Sequence, residues 1–174
     1  VGSEMCIRDS VYSHLISDHY HYWEDGGATY HTRYNSFDFI RGQESDPWKV
    51  LLTSPIERIK EKYHSSQNDP NDKQNPYNYM INREFIKDEA DLPSVKCFKA
   101  GFEFLDINKD ADNWFLQIET FDPHEPFFAP ERLRKAFETN YKGPILDWPR
   151  YAKVTETPDE VAAVSYTHLR AHET

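Results

Sequence analysis

Two short stretches of the chain carry side chains able to do chemistry. The first is Asp122-Pro123-His124-Glu125-Pro126, one imidazole between two carboxylates in a frame of two prolines. A histidine so flanked suits general acid or base work, because nearby carboxylates set its tautomer and its charge around neutral pH. The second is Asp18-His19-Tyr20-His21-Tyr22-Trp23-Glu24-Asp25, where histidines, acids and aromatic rings alternate ahead of Gly26-Gly27. Imidazole and carboxylate are also metal ligands, but the compact H-x-x-x-H and H-E-x-x-H spacings are missing, and no residue is assigned to a metal from this pattern. For both stretches the structural alternative is a loop whose histidines bond their own backbone.

These residues need elements to hold them. Trp114, Phe115, Leu116, Ile118 and Thr120 form an apolar, β-branched run after the polar patch Asn108 to Asn113, which predicts a buried strand of an α/β sheet. Pro123 and Pro126 lack ladder donors and fix φ, so the strand ends in a rigid loop and His124 stands at the carboxyl edge, where open α/β sheets bind ligands. Pro130 then opens a helix with Glu131 to Phe137 as its body. Val11 to Ser17 reads as another strand of the same sheet. It delivers His19 and His21, whose spacing puts both on one side of an extended segment. The glycine pair lets the chain turn sharply, with His31 four residues beyond it.

The remaining elements are scaffolding in this reading. Arg41, in the charged turn that runs to Trp48, faces either an anion or an ion-pair partner, Glu44 or Asp46. Ser54 to Tyr63 is expected to be a helix, with Ser54 as cap, Pro55 in the first turn and Ile56, Ile59 and Tyr63 on one face. Gln67 to Tyr79 is a polar, proline-punctuated loop in which Tyr77 and Tyr79 either stack on a sugar or pack the loop down. Met80 to Glu89 is a helix candidate. Asp91 caps a stronger helix, with Pro93 in its first turn, Val95, Phe98, Phe102 and Leu105 at helical spacing, and Cys97 as a small core residue.

The two ends of the chain are related to each other in an unusual way. Val164 to His172 can be encoded by GTC TCT TAT ACA CAT CTC CGA GCC CAC, and the opposite strand of that DNA reads Val1 to Asp9 residue for residue. The pair resembles a transposase-based sequencing adapter translated on both sides of an insert. Residues 1–10 and 164–174 are therefore expected to be adapter-derived tails, and 11–163 an internal piece of a longer protein. Cys6 falls in a tail. That leaves Cys97, and one cysteine says nothing about disulfides or redox compartment. Localisation stays open, since a signal would lie upstream.

Composition then excludes some partners. The chain has 30 acidic and 20 basic residues, and without the tails 27 and 18 remain, a net charge near -9. That balance argues against a nucleic acid held through its phosphates, while leaving room for a small anion at a local positive site. No apolar run is long enough for a membrane span. The 11 prolines against 6 glycines, with all 4 tryptophans between the tails, predict long ordered loops rather than disorder.

The strand ending in Phe121-Asp122-Pro123-His124-Glu125-Pro126-Phe127 resembles the histidine-bearing strand end of the sulfatase family, within the alkaline-phosphatase-like superfamily. The N-terminal part is similar in order: Leu15-Ile16-Ser17-Asp18-His19-Tyr20-His21 matches the family's T-x-x-I-G-K-W-H-L-G strand, and Phe37-Asp38-Phe39-Ile40-Arg41-Gly42 its later G-F-D-x-F-x-G element. The resemblance implies a partial α/β/α sandwich, cut at both ends, and hydrolysis of a small-molecule or glycan sulfate ester. It implies catalytic roles for His124, on the sulfate or leaving-group side, and for His21, in contact with the sulfate, with His19 as the alternative to His21. Asp18, Asp122, Glu125 and Arg41 become substrate-binding or supporting residues. The family's cofactors are a divalent cation, usually calcium, and a formylglycine nucleophile made within C-x-P-x-R. Neither that motif nor the aspartate pair of the metal cage is in this chain, and Cys97-Phe98-Lys99-Ala100-Gly101 does not match it. Both are expected upstream.

One departure matters. The family lysine is missing, and Asp18 stands near its place, which gives weight to a phosphodiesterase or phosphonate monoester hydrolase of the same superfamily. A non-catalytic, aromatic-rich binding domain is the third possibility. A sheet cut on both sides exposes edges and apolar faces, so the chain is expected to be poorly stable. Its thermal unfolding should be broad, and a cooperative transition would contradict this.

Overall fold

The computed structural model describes residues 11–53, 56–68, 76–136 and 141–148. The expected tails and the proposed cap Ser54-Pro55 lie outside the described residues, as does Phe137 at the end of the expected last helix. In chain order the elements are β1 (Tyr12–Ser17), β2 (Ser36–Phe39), α1 (Ile56–Lys60), α2 (Tyr77–Arg83), α3 (Pro93–Ile107), β3 (Trp114–Glu119) and α4 (Glu131–Arg134). Four short 3-10 turns, Tyr20–Tyr22, Tyr30–Arg33, Ser65–Asn68 and Glu89–Asp91, complete them. The class is α/β with a small parallel sheet, and the chain divides into two compact units. The first lies within Val1–Gln43 and Ile86–Phe121, the second within Glu44–Phe85 and Asp122–Thr174.

The first unit is a parallel sheet in the order β2-β1-β3 with α3 packed on it. β1 pairs β3 in the register Ile16 with Ile118 and Ser17 with Glu119, and β2 through His14 with Ser36 and Ser17 with Phe39. A central parallel strand is covered on both faces, which is why Leu15, Ile16 and Ser17 are all buried in sequence. The sequence reading found β1 and β3 but not β2, a four-residue strand (SFDF) too short and too polar to declare itself. β3 is not the buried strand expected: it lies at the edge of the three-stranded sheet, and Trp114 and Phe115 are exposed. It is attached by side chains as well: Asn35 Oδ1 accepts from the Ser13 amide and hydroxyl, and His14 Nδ1 lies 2.7 Å from Ser36 Oγ.

α3 corrects the sequence reading in two ways. Asp91 is not its cap. Asp91 closes the preceding turn by accepting from the Lys87 and Asp88 amides, and α3 starts one residue later, after the extended Leu92. Nor does the Phe98, Phe102, Leu105 stripe face the core: these rings and side chain are 52%, 64% and 40% exposed. The buried stripe is Pro93, Cys97 and Gly101, small residues at i, i+4 and i+8. A Cβ on Gly101 would stand 2.4 Å from Ile118 Cδ1, so the missing side chain is what lets helix and sheet approach. Cys97 is buried and reduced, as the small-core reading expects.

The second unit has its own core of Ile59, Tyr63, Tyr79, Met80 and Trp148, flanked by Leu51, Ile56, Tyr77 and Ile81. Here α1 supplies the expected Ile56 and Ile59, and Tyr63 packs with them although the helix ends at Lys60. α2 begins at Tyr77, inside the stretch read as loop, because Tyr79 and Met80 are core side chains. Tyr79 donates its hydroxyl to the buried Asp147, which also accepts from Gln67 Nε2 at 2.8 Å. Tyr79 is thus a packing residue and not a sugar platform, while Tyr77 lies under the Lys60 ammonium at 4.4 Å.

Gly101→Val should push Ile118 aside and destabilise α3 by about 1–3 kcal/mol, measured as faster amide exchange along the helix. Phe102→Ser, on the exposed stripe, should change that exchange by no more than about 0.5 kcal/mol.

Candidate functional site

β1 and β3 run parallel, so their carboxyl ends fall at one edge of the sheet. The exit of β1 is buried before it becomes reactive: Asp18 has no exposed surface, and its Oδ1 accepts the backbone N–H of Phe121 at 2.7 Å. A carboxylate taken out of water must be compensated, and a charge-assisted bond to a backbone amide does this while tying the exits of β1 and β3 together.

The segment after Asp18 is not extended, contrary to the sequence reading. Tyr22 and Trp23 amides bond back to the His19 and Tyr20 carbonyls, and the Gly27 amide to the Glu24 carbonyl at 2.9 Å. Gly26 turns the chain at φ 77°, and a Cβ on Gly27 would lie 2.2 Å from the His21 carbonyl oxygen, so the glycine pair is required by close approach. The coiling brings His19 and His21 together differently from a strand: their rings meet edge to face at 5.3 Å. His21 then turns outward, its Nδ1 2.9 Å from Glu24 in a local, exposed pair.

His19 is more enclosed. Its ring packs on Tyr22 at 4.6 Å and Phe121 at 4.9 Å, and its Nδ1 stands 3.5 Å from Glu119 Oε1, on the neighbouring strand. Glu119 also accepts the Tyr22 hydroxyl and, at 3.3 Å, Gln117 Nε2, while Gln117 in turn accepts the Tyr34 hydroxyl. Burial and the Glu119 carboxylate push the Tyr22 phenol well above its usual range, and the same two causes raise Tyr34. Sequence reasoning missed Glu119. Its signal was the polar alternation Gln117, Glu119 inside an apolar strand, but its partners sit 97 and 100 residues away.

His31 does not belong to this group. It is buried in the loop between β1 and β2, stacked on Trp23 at 4.5 Å and edge-on to Phe37 at 4.7 Å, with Trp23 stacked on Phe39 at 4.0 Å. His31 is therefore held by ring stacking and not by the backbone bond that the loop alternative expects: its buried Nδ1 has no hydrogen-bond partner among the described residues. Arg41 is exposed, its guanidinium 5.2 Å from the Phe39 ring centre.

The Asp122 to Pro126 loop belongs to the second unit. Its side chains are Asp122, half-buried; His124, 54% exposed; and Glu125, whose Oε2 lies 3.0 Å from His124 Nδ1. The Glu125 carbonyl is 3.1 Å from the same nitrogen, and both X-Pro bonds, Asp122-Pro123 and Glu125-Pro126, are cis. The loop is followed by Phe127, whose amide bonds the Asp147 carbonyl, and Phe128, whose ring carries the Arg83 guanidinium at 3.2 Å. The predicted site residues thus divide, with Asp18, His19, His21 and Arg41 in one unit and Asp122, His124 and Glu125 in the other.

Among the described residues, no group of three or more His, Cys, Asp or Glu side chains is placed to hold a metal ion. The calcium implied by the resemblance therefore finds no cage in these side chains. Among the described residues no helix is long and apolar enough to cross a membrane. Comparison of the chain with family models, curated proteins and solved structures yields no match.

Desolvated phenols make stability depend on alkaline pH: Tyr79 is buried, and Tyr22 and Tyr34 are half-buried. Tyr22, Tyr34 and Tyr79 are all raised from 10.0, each first by burial, with Asp147 acting on Tyr79 as Glu119 does on the other two. Above pH about 10 the unfolded chain loses these protons while the folded chain keeps them, so the folded state binds more protons and stability falls as pH rises. The contribution is complete below pH about 10 and shrinks until the folded phenols themselves ionise. A phenolate absorbance titration should show a delayed group of tyrosines in the folded chain that joins the main transition in urea.

Proposed function

We propose that this chain carries part of the site of a sulfatase-family hydrolase acting on sulfate esters. The observation that supports it most is the shared edge: two parallel strands whose exits, Ser17-Asp18-His19 and Thr120-Phe121, are fastened by the Asp18 to Phe121 bond and lead into the two histidine-bearing sequences. Ligand sites of open parallel sheets lie beyond such strand ends.

In this reading His124 serves the leaving oxygen of the ester. With its Nδ1 proton directed to Glu125, Nε2 is the nitrogen left to face the ester; in the protonated imidazolium, Nε2–H gives its proton to the leaving oxygen as the S–O bond breaks, leaving the neutral ring. The imidazole after β1 contacts the sulfate and, when protonated, offsets charge on the transferring group. Asp18 acts beneath it by fixing the strand exits.

A second reading, phosphodiester or phosphonate monoester hydrolysis, is favoured by one observation. The position resembling the family lysine is the fully buried Asp18, which offers an amide-bound carboxylate where the family offers a cation.

The purified 174-residue chain should give no turnover of an aryl sulfate, since the C-x-P-x-R nucleophile motif is not in it. A gene product that contains this segment with the nucleophile motif should hydrolyse an aryl sulfate and lose about 100-fold or more in kcat on His124→Ala. Preference for a phosphodiester would transfer support to the second reading, and an unimpaired His124→Ala enzyme would remove His124 from the mechanism.

A further inference from the structure

We propose that Glu119 is a positioning residue that fixes the His19 imidazole as its Nδ1–H tautomer, making His19, and not His21, the acid-base histidine at the exit of β1. The inference deepens the hydrolase reading and rests on it for the word acid-base; the tautomer itself does not.

Three observations support it. First, the two histidines have different partners. His21 pairs with Glu24, three residues on in the same exposed turn, whereas His19 meets Glu119 across the sheet, both side chains being largely covered, at 26% and 30% exposure. A carboxylate on a strand is held by the ladder, while one in a surface turn moves with the turn. Second, Glu119 is itself fixed. Its Oε1 takes the Tyr22 hydroxyl and its Oε2 the Gln117 amide, so the remaining direction of Oε1 is what His19 Nδ1 meets. Third, the His19 ring is clamped by Tyr22 at 4.6 Å, Phe121 at 4.9 Å and the edge of His21 at 5.3 Å, which sets the plane in which its nitrogens lie.

Donor and acceptor roles then set the chemistry. Glu119 is an acceptor, so the nitrogen facing it carries the proton, and Nε2 carries the lone pair. At 3.5 Å the contact is long, and protonation of His19 converts it into a charge-assisted pair that shortens it. Carboxylates that orient a histidine through its second nitrogen raise its basicity. Charged and titratable groups that face the ring include Glu119 from β3 and Tyr22 and His21 from its own turn; Oδ1 of the neighbouring Asp18 accepts the Phe121 amide. The Tyr22 phenol stays protonated through the range in which histidine titrates, so it competes with His19 for Glu119 as a donor and adds no charge.

The test is nitrogen-15 and carbon-13 imidazole spectroscopy of the 174-residue chain, titrated with acid. Above its midpoint His19 should show the Nδ1–H tautomer, and Glu119→Gln should lower the midpoint by about one pH unit. Tyr22→Phe, which frees Glu119 from its competitor, should raise it. His21 should shift with Glu24→Gln and not with Glu119→Gln. An Nε2–H tautomer in the unsubstituted chain, or a His19 midpoint indifferent to Glu119→Gln, overturns the proposal; the first readout needs no variant, so a substitution that fails to fold leaves it decisive. The spectra are independent of sulfatase activity, so this inference and the functional reading fail separately.

Discussion

The bond from the Phe121 amide to the Asp18 carboxylate ties together the strand exits of the first unit. Both strands run out of ladder partners at the same level, and in the sequence both continue into residues that cannot extend a sheet: a coiled aromatic turn after β1, a proline-framed loop after β3. Without a common anchor the two exits would splay. Burying an acid is costly in isolation, and the backbone donor of Phe121 offsets part of that cost. A lysine there, as the sulfatase resemblance would have it, could not accept that bond.

Around this anchor the side chains grade from stacked aromatic rings to hydrogen-bonded polar groups. Trp23, Phe39, His31 and Phe37 form a stacked cluster that shapes the loop between β1 and β2, so that an eighteen-residue parallel crossover from Asp18 to Asn35 needs only two short 3-10 turns. The Tyr22, Glu119, Gln117 and Tyr34 chain sits between that cluster and the strand end, its phenols kept neutral by burial and the acid. His19 is where this network meets the histidine pair. On the other side of the unit, α3 approaches the sheet through Pro93, Cys97 and Gly101 and turns Phe98, Phe102 and Leu105 outward as a bare apolar stripe.

The sequence was informative where a rule is local. β1 and β3 follow from runs of apolar and β-branched residues, the stop after Thr120 from two prolines, and the turn after Asp25 from Gly26-Gly27. It failed where size or distance decides. Helical spacing singled out Phe98, Phe102 and Leu105 because they are apolar, but steric approach selected the smaller residues beside them. β2 is held largely by Asn35 and Ser36 meeting Ser13 and His14, a pairing that no periodicity announces. The histidine spacing suggested an extended segment, yet the backbone coils because the Tyr22 and Trp23 amides find carbonyls three residues back. Glu119 showed only as a polar position alternating with Gln117, because its meaning lies in contacts with Tyr22 and His19 at the far end of the sequence.

The central claim is that these strand exits belong to sulfatase-type chemistry, and the gene itself tests it most directly. Reading the source DNA upstream of the Val11 codon should show, in the same frame, an aspartate pair and a C-x-P-x-R or S-x-P-x-R element. A frame that begins at Val1 in the source DNA, or an upstream sequence with neither element, would contradict the account.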